Sequence, residues 1–151
     1  SYIVKLLIDN GIDPNLKCFN SLNPLFFAVY KENYLVAKVL LDNGADINAV
    51  DDYLNTPLHF ACLNGNQIMV QLLTSYPNLV QKKNKRSELP WDIAIKSGNT
   101  HLIKILESYG FKCEEEILPI DINDIFKYEH EEDFIFTYSE DEISFLQTVL
   151  V

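Results

Sequence analysis

The sequence repeats itself with a period of 33 residues, and this period limits the possible folds more than any other feature. Within one period, an apolar pattern typical of a short helix leads to a turn and then resumes. The step is kept by four sets of identical residues: Pro24, Pro57 and Pro90; Ala28, Ala61 and Ala94; Leu7, Leu40, Leu73 and Leu106; and Gly11, Gly44 and Gly110. A stack of helix pairs is therefore predicted, in which each pair covers its neighbour.

The clearest copy of the unit runs from Asn55 to Leu73. Thr56 is a good N-cap and Pro57 fits the first helical position, so a helix is predicted to begin there and to break at Gly65. The motif T-P-L-H-x-A, together with the 33-residue period, resembles the ankyrin repeat family. The resemblance implies an all-α solenoid of helix-turn-helix units joined by projecting finger turns.

The resemblance covers residues 1–112. A partial repeat spans residues 1–17, and full repeats span 18–50, 51–83 and 84–112. The partial repeat carries only a second helix, whose apolar face lacks its partner, so we expect the chain to be a fragment of a larger protein.

Residues 113–151 form an acidic, non-repeat C-terminal extension. They hold 12 Asp or Glu and a single Lys, whereas residues 1–112 hold 11 Lys or Arg and 10 Asp or Glu. The end of the extension predicts an amphipathic helix, which we expect to cap the last repeat near Trp91 and Ile95. An acidic segment of this kind argues against nucleic acid as its partner.

The sequence shows no motif for catalysis, for a metal or for a cofactor. Cys18, Cys62 and Cys113 lie far apart, and we interpret them as free thiols in a reducing compartment, the cytoplasm or the nucleus. No apolar run reaches the roughly 20 residues of a membrane span. We therefore expect a non-enzymatic intracellular monomer that binds another protein, and neither nucleic acid nor a membrane.

The resemblance implies that the finger turns and the concave face of the first helices contact the partner. A first zone consists of apolar side chains at positions that packing does not require: Phe19, Leu22, Tyr30, Tyr53 and Leu63. Asn55 is aligned with the same finger positions and is also a candidate. A second, basic zone contains Lys82, Lys83, Lys85, Arg86 and Lys96. Aromatic residues and arginine are typical of interface hot spots. Scattered surface residues and a solvated basic face are the alternative interpretations.

Three residues of the best-matching repeat are predicted to be structural: Thr56, Pro57 and His59. The resemblance implies that the threonine hydroxyl and the imidazole bind each other and tie the helix pair to its neighbour. Asn48 lies in a pattern similar to the one read by the asparaginyl hydroxylase that modifies ankyrin finger turns, and it is a candidate hydroxylation site. Asn15 matches less well because Pro14 precedes it.

Two further functions remain open at this stage. The array could be the targeting part of an effector or enzyme whose catalytic region lies outside this fragment, acting in the cytoplasm of a host cell. It could also be a ubiquitin-ligase adaptor, because residues 118–128 resemble the opening of an F-box. In all three hypotheses the repeats bind a protein.

Overall fold

The computed structural model describes residues 2–111, which form helices and no strand. The all-α prediction is confirmed for this part of the chain. The helices are α1 (Tyr2–Asp9), α2 (Pro24–Tyr30), α3 (Tyr34–Asp42), α4 (Pro57–Leu63), α5 (Gln67–Thr74), α6 (Pro90–Lys96) and α7 (Thr100–Ser108). The predicted C-terminal cap, the F-box-like segment and Cys113 lie outside the described residues.

The helices pack in two rows. The inner row consists of α2, α4 and α6, each in contact with the next, and the outer row consists of α1, α3, α5 and α7. Each inner helix also packs against the outer helix that follows it in the chain. Two rows of short helices place a continuous core between them, as expected for a repeat stack.

Helices α2 to α7 begin where the sequence supplies a start signal, which is a proline in the inner row and a capping asparagine in the outer row. Pro24, Pro57 and Pro90 occupy the first position of the inner helices, where a missing backbone N–H removes no helical hydrogen bond. The outer helices α3, α5 and α7 begin after an asparagine. The side chains of these residues accept hydrogen bonds from the backbone N–H groups three positions later: Asn33, Asn66 and Asn99.

The repeated leucines form the core of the outer row. Leu40, Leu73 and Leu106 are at most 2% exposed, and burying a leucine side chain contributes about 1.5 to 3 kcal/mol. Leu7 occupies the same register in α1 but is 41% exposed, and α1 buries none of its residues. The uncovered face expected for the first helix is therefore present in the described residues.

The finger turns are short hairpin-like loops between one outer helix and the next inner helix. One backbone hydrogen bond closes the base of each loop, with N···O distances of 2.8 to 3.0 Å: Cys18 to Leu22, Asp51 to Asn55, and Asn84 to Glu88. The tip of each loop contains a residue with φ near +60°: Ser21, Leu54 and Ser87. This shared left-handed residue reverses the chain in all three loops, and the first loop contains a second one, Asn20, with a φ of +56°.

Candidate protein-binding surface

The second and third fingers are held in shape by a polar side chain at their base. The Asp51 carboxylate accepts hydrogen bonds from the backbone N–H groups of Tyr53 (2.9 Å) and Asn55 (2.7 Å). Asn84 does the same for Arg86 (2.9 Å) and Glu88 (3.0 Å). Loops fixed in this way lose little conformational entropy when they bind a partner.

Neighbouring fingers are also joined to each other. The backbone N–H of Asp52 donates to the carbonyl of Asn20 (3.2 Å), and the N–H of Lys85 donates to the carbonyl of Tyr53 (2.9 Å). The hydroxyl of Ser21 adds a bond of 2.7 Å to the Asp52 carboxylate. The three tips therefore form one connected strip.

This strip carries exposed apolar side chains, which we name the fingertip patch: Phe19, Tyr53 and Leu54. Their exposed fractions are 58%, 43% and 43%. Leu54 was not predicted as a binding residue from the sequence. The 33-residue period aligns it with Ser21 and Ser87, and an apolar residue where the other repeats have serine indicates an exposed leucine at a turn tip. Its φ of +62° is costly for a branched side chain, so the patch holds an exposed apolar residue in a strained conformation.

The basic zone lies next to the fingertip patch. The Lys85 ammonium group is 6.0 Å from the centre of the Tyr53 ring, which is within the range of a cation–π contact. Arg86 is exposed on the same finger, as are Lys82 and Lys83 at its start. The structure thus places Tyr53 and Lys85, predicted as members of separate zones, side by side.

Leu22 is not a surface residue, and the expectation that packing does not require it is wrong. Its side chain is only 6% exposed. The residue follows the positive-φ tip of the first finger, and its carbonyl accepts the bond from Cys18 that closes the loop. The chain has therefore already turned back toward the core at this position, and Leu22 packs there.

Asn55 and Lys96 are engaged within the chain. The Asn55 side chain donates to the Asp51 carboxylate (3.2 Å) and accepts from the Asn84 amide (3.0 Å), which links the bases of two fingers. Lys96 forms an ion pair with Glu88, at an N···O distance of 2.5 Å. A partner would have to compete with these contacts, so both residues are weaker candidates than Lys85 and Arg86.

The inner helices contribute Tyr30 and Leu63 at their last turns. Leu63 is 37% exposed at the end of α4, and Tyr30 is half-buried at the end of α2. The Lys31 ammonium group lies 5.5 Å from the centre of the Tyr30 ring. Both side chains lie at the C-terminal ends of their helices, whereas the fingers precede the N-terminal ends.

Thr56 and His59 form a buried hydrogen-bonded pair at the start of α4. The Thr56 backbone N–H donates to His59 Nδ1 (3.0 Å), and the Thr56 hydroxyl lies 2.8 Å from the same nitrogen. Because Nδ1 accepts, the proton of the neutral ring is on Nε2, which donates to the Glu88 carbonyl at 3.0 Å. Burial lowers the pKa of His59, which favours this neutral form.

The third repeat replaces this pair with a carboxylate. Asp92 stands in the register of His59 and accepts a hydrogen bond of 2.7 Å from the backbone N–H of Leu89. In the first repeat, Phe26 occupies the register and packs edge-on against Phe60, with ring centres 5.4 Å apart. Sequence alone indicated the lost histidines but did not indicate these two replacements.

Glu88 stands at the junction of the histidine contact and the basic zone. Its burial would raise the pKa of its carboxyl, but hydrogen bonds from Lys96 and Asn84 outweigh burial, and the pKa is lowered overall. The carboxylate is therefore ionised over the physiological pH range and holds Lys96 against the third finger.

Asn15 and Asn48 make equivalent amide bridges to the following repeat. Asn48 donates to the Asn78 carbonyl (2.6 Å) and accepts from the Val80 N–H (2.9 Å). Asn15 donates to the Gly44 carbonyl (2.9 Å) and accepts from the Asp46 N–H (2.6 Å). Both side-chain amides are thus built into the contacts between repeats.

The described residues contain no group of three or more His, Cys, Asp or Glu placed to hold a metal ion. Within residues 2–111, no helix has the length and apolar character needed to cross a membrane. Cys18 and Cys62 are unpaired, and burial raises the pKa of the Cys62 thiol to about 12.

Comparison with known families identifies the repeats. The family model described as "Ankyrin repeats (many copies)" matches residues 25–74, from the second residue of α2 to the end of α5, with the finger between α3 and α4. No curated protein matches the chain. The helix order and this match together confirm the ankyrin resemblance, and the described residues form ankyrin repeats. Proteins with such repeats generally bind other proteins, and the repeats themselves are typically not catalytic.

Proposed function

We propose that this chain binds a partner protein through its finger turns, with the fingertip patch at the centre of the interface and Lys85 and Arg86 beside it. The observation that carries the proposal is the strip of exposed apolar side chains on loops that are tied to one another. Exposed aromatic residues on a rigid support are typical of interface hot spots. Leu63 and Tyr30 extend the surface onto the inner helices.

The strained backbone at Leu54 supports the same proposal. Ser21 and Ser87 occupy the equivalent positions of the other fingers with a small polar side chain. A leucine at this position is only partly buried in the free protein, because it is 43% exposed. Contact with a partner would bury its side chain and would account for a residue that local stability does not favour.

The unpaired Cys18 and Cys62 support a reducing compartment, and we propose the cytoplasm or the nucleus. The effector, catalytic and F-box hypotheses each require residues outside the described part of the chain. None of the contacts in residues 2–111 favours one of them over a plain interaction module.

Affinity purification with matched variants tests the proposed surface. Phe19→Ser/Tyr53→Ser removes two patch residues that are 58% and 43% exposed, and Val80→Ser/Tyr109→Ser removes two apolar residues that are 53% and 47% exposed elsewhere. We expect the proteins captured by the wild type to be lost with the first variant and kept with the second. Equal capture by both variants would refute the fingertip patch as the binding surface.

A further inference from the structure

The third finger carries a cluster of positive charge that the fold of the repeats does not require. Residues 82–96 hold five Lys or Arg against two acids, whereas the equivalent residues 49–63 of the preceding repeat hold two Asp and no Lys or Arg. In the register of Lys85 the other fingers have Phe19 and Asp52, so the same loop forms with an apolar or an acidic residue at this position. The cations are therefore not needed to build the finger.

Most of these cations are exposed and have no acidic partner. Lys83, Lys85 and Arg86 are exposed, and none of them forms an ion pair within residues 2–111. Lys82 is also exposed, but its ammonium group donates to the Asn48 carbonyl at 2.8 Å. Three cations of the finger are therefore available to a binding partner.

The acids near these cations do not neutralise them. The Glu88 carboxylate pairs with Lys96, and its longer-range attraction to Arg86 leaves one carboxylate for two cations. Asp92 is half-buried, and its carboxylate accepts a hydrogen bond from the backbone N–H of Leu89. The third finger therefore keeps a net positive charge on its exposed side.

Backbone hydrogen bonds hold the cations beside the fingertip patch. The Lys85 N–H donates to the Tyr53 carbonyl at 2.9 Å, and the Arg86 N–H donates to the Asn84 side chain, also at 2.9 Å. The Lys85 ammonium group is 6.0 Å from the centre of the Tyr53 ring. Because an extended chain rises about 3.3 Å per residue, a partner segment with an apolar residue on Tyr53 reaches Lys85 within about two residues.

The second finger indicates that this positive charge binds a protein rather than a nucleic acid. Asp52 is exposed on that finger, next to Tyr53, and its carboxylate accepts a hydrogen bond of 2.7 Å from Ser21. A nucleic acid carries a negative charge on every nucleotide, so a strand crossing from the third finger would bring phosphates against this carboxylate. A polypeptide has acids only where its sequence places them, so its acids can face Lys85 and Arg86 while its apolar residues face the patch.

We propose that the partner protein presents a short run of glutamate or aspartate residues to Lys83, Lys85 and Arg86, next in sequence to the apolar residues that cover the fingertip patch. This inference rests on the proposed function, because it assigns the chemistry of the partner at the same surface. A guanidinium group binds a carboxylate through two parallel hydrogen bonds, so Arg86 selects acids most strongly. The two ammonium groups add an attraction that speeds association and that salt screens.

The test uses the full chain and three fluorescent peptides. The acidic peptide has about four glutamates, which span about 13 Å when extended, followed by the sequence Leu-Phe-Leu. The neutral and basic peptides have glutamine or lysine in place of glutamate. Fluorescence anisotropy should show the acidic peptide binding at least about tenfold more tightly than the neutral one, and added salt should reduce the difference. Because the chain has a net charge of −10, its overall charge opposes this preference and cannot produce it.

Charge-reversed variants locate the site of this preference. Lys85→Glu/Arg86→Glu should remove the preference for the acidic peptide and should bind the basic peptide more tightly than the control variant does. The control is Lys5→Glu/Lys104→Glu, which changes the net charge equally at two exposed lysines of α1 and α7 and should keep the preference. Circular dichroism checks that the fold is retained, and Lys85→Gln/Arg86→Gln replaces the glutamate variant if it is not.

The outcomes separate this inference from the proposed function. An acidic partner is refuted by equal binding of the acidic and neutral peptides, by no binding of the acidic peptide up to about 1 mM, or by a preference that survives Lys85→Glu/Arg86→Glu or that the control variant also removes. It is also refuted if single-stranded RNA binds as tightly as the acidic peptide and loses binding with the same variant. In each case the fingertip patch stands if Phe19→Ser/Tyr53→Ser still loses the captured proteins. If that variant keeps them, the proposed function itself fails.

Discussion

His59 donates a hydrogen bond from its Nε2 to the backbone carbonyl of Glu88, and this contact joins α4 to the third finger. The two residues are 29 positions apart in the chain, and the bond is 3.0 Å long. The other ring nitrogen holds the backbone N–H of Thr56. One imidazole therefore satisfies backbone groups at a helix start and in a finger of the next repeat. Glu88 in turn pairs with Lys96 at the end of α6.

His59→Ala should destabilise the repeats without removing partner binding. The substitution leaves the buried Thr56 N–H without its partner, which costs about 1 to 3 kcal/mol. It also removes one of the two hydrogen bonds that the Glu88 carbonyl accepts, the other coming from the Asn84 N–H. Chemical denaturation should show this decrease in the free energy of unfolding, while His101→Ala, at an exposed position, should change it little. A His59→Ala protein of wild-type stability that no longer binds its partner would show that the histidine is a binding residue instead.

The contribution of His59 to stability should depend on pH. Its pKa in the folded protein is lowered by burial below the ordinary value of 6.5, so between these two pKa values the unfolded chain binds more protons than the folded chain. The free energy of unfolding therefore falls as pH falls below about 6.5. The difference in stability between the wild type and His59→Ala should be largest above this pH and smaller below it. A difference that stays constant from pH 8 to pH 5, a range of about 3 units around the ordinary value, would contradict the assignment.

The repeat pattern predicted the helices because the residues that start a helix are local in the sequence. Pro57 can occupy only a few helical positions, and Asn66 supplies a cap for the next helix. The pattern predicted the binding residues less well, because exposure depends on where the chain turns. Leu22 and Leu54 are both finger leucines, yet the first is 6% exposed and the second is 43% exposed.

The contacts between repeats were the least predictable part of the site. In the third repeat, Asp92 stands in the register of His59, and its carboxylate accepts a hydrogen bond from the backbone N–H of Leu89. Different side chains can satisfy the same backbone donor, so loss of a motif residue does not show how the donor is satisfied.

Asn48 should be hydroxylated only when the contact between the first and second full repeats opens. Its amide is bonded on both sides to Asn78 and Val80, and it is half-buried, so an asparaginyl hydroxylase needs this segment to be released. After incubation with the enzyme, mass spectrometry should find the mass of one added oxygen atom on the Asn48 peptide. Asn15 is the internal control, because it makes the same amide bridge but follows Pro14. An unmodified Asn48 peptide, from both the native and the heated protein, would exclude the site.

Leu54→Gly should make the protein more stable and its partner binding weaker. Leu54 has a φ of +62°, and a left-handed conformation costs roughly 1 to 2 kcal/mol for a residue with a side chain but little for glycine. The exposed leucine side chain contributes little burial in exchange. Part of the gain is offset by the greater freedom of glycine in the unfolded chain, so we expect an increase in the free energy of unfolding of up to about 1 kcal/mol.

Glu32→Gly provides the matched control for this prediction. Glu32 has a φ of +55° in the register where Gly65 and Gly98 stand, and it lies in the turn between α2 and α3, away from the fingers. The Glu32→Gly substitution should therefore give a similar increase in the free energy of unfolding and leave partner binding unchanged. If Leu54→Gly binds the captured partner as tightly as the wild type does, Leu54 takes no part in the interface, and its strained conformation then needs another explanation. If it weakens binding while raising stability, the leucine is held at the fingertip at the expense of stability because the partner contacts it.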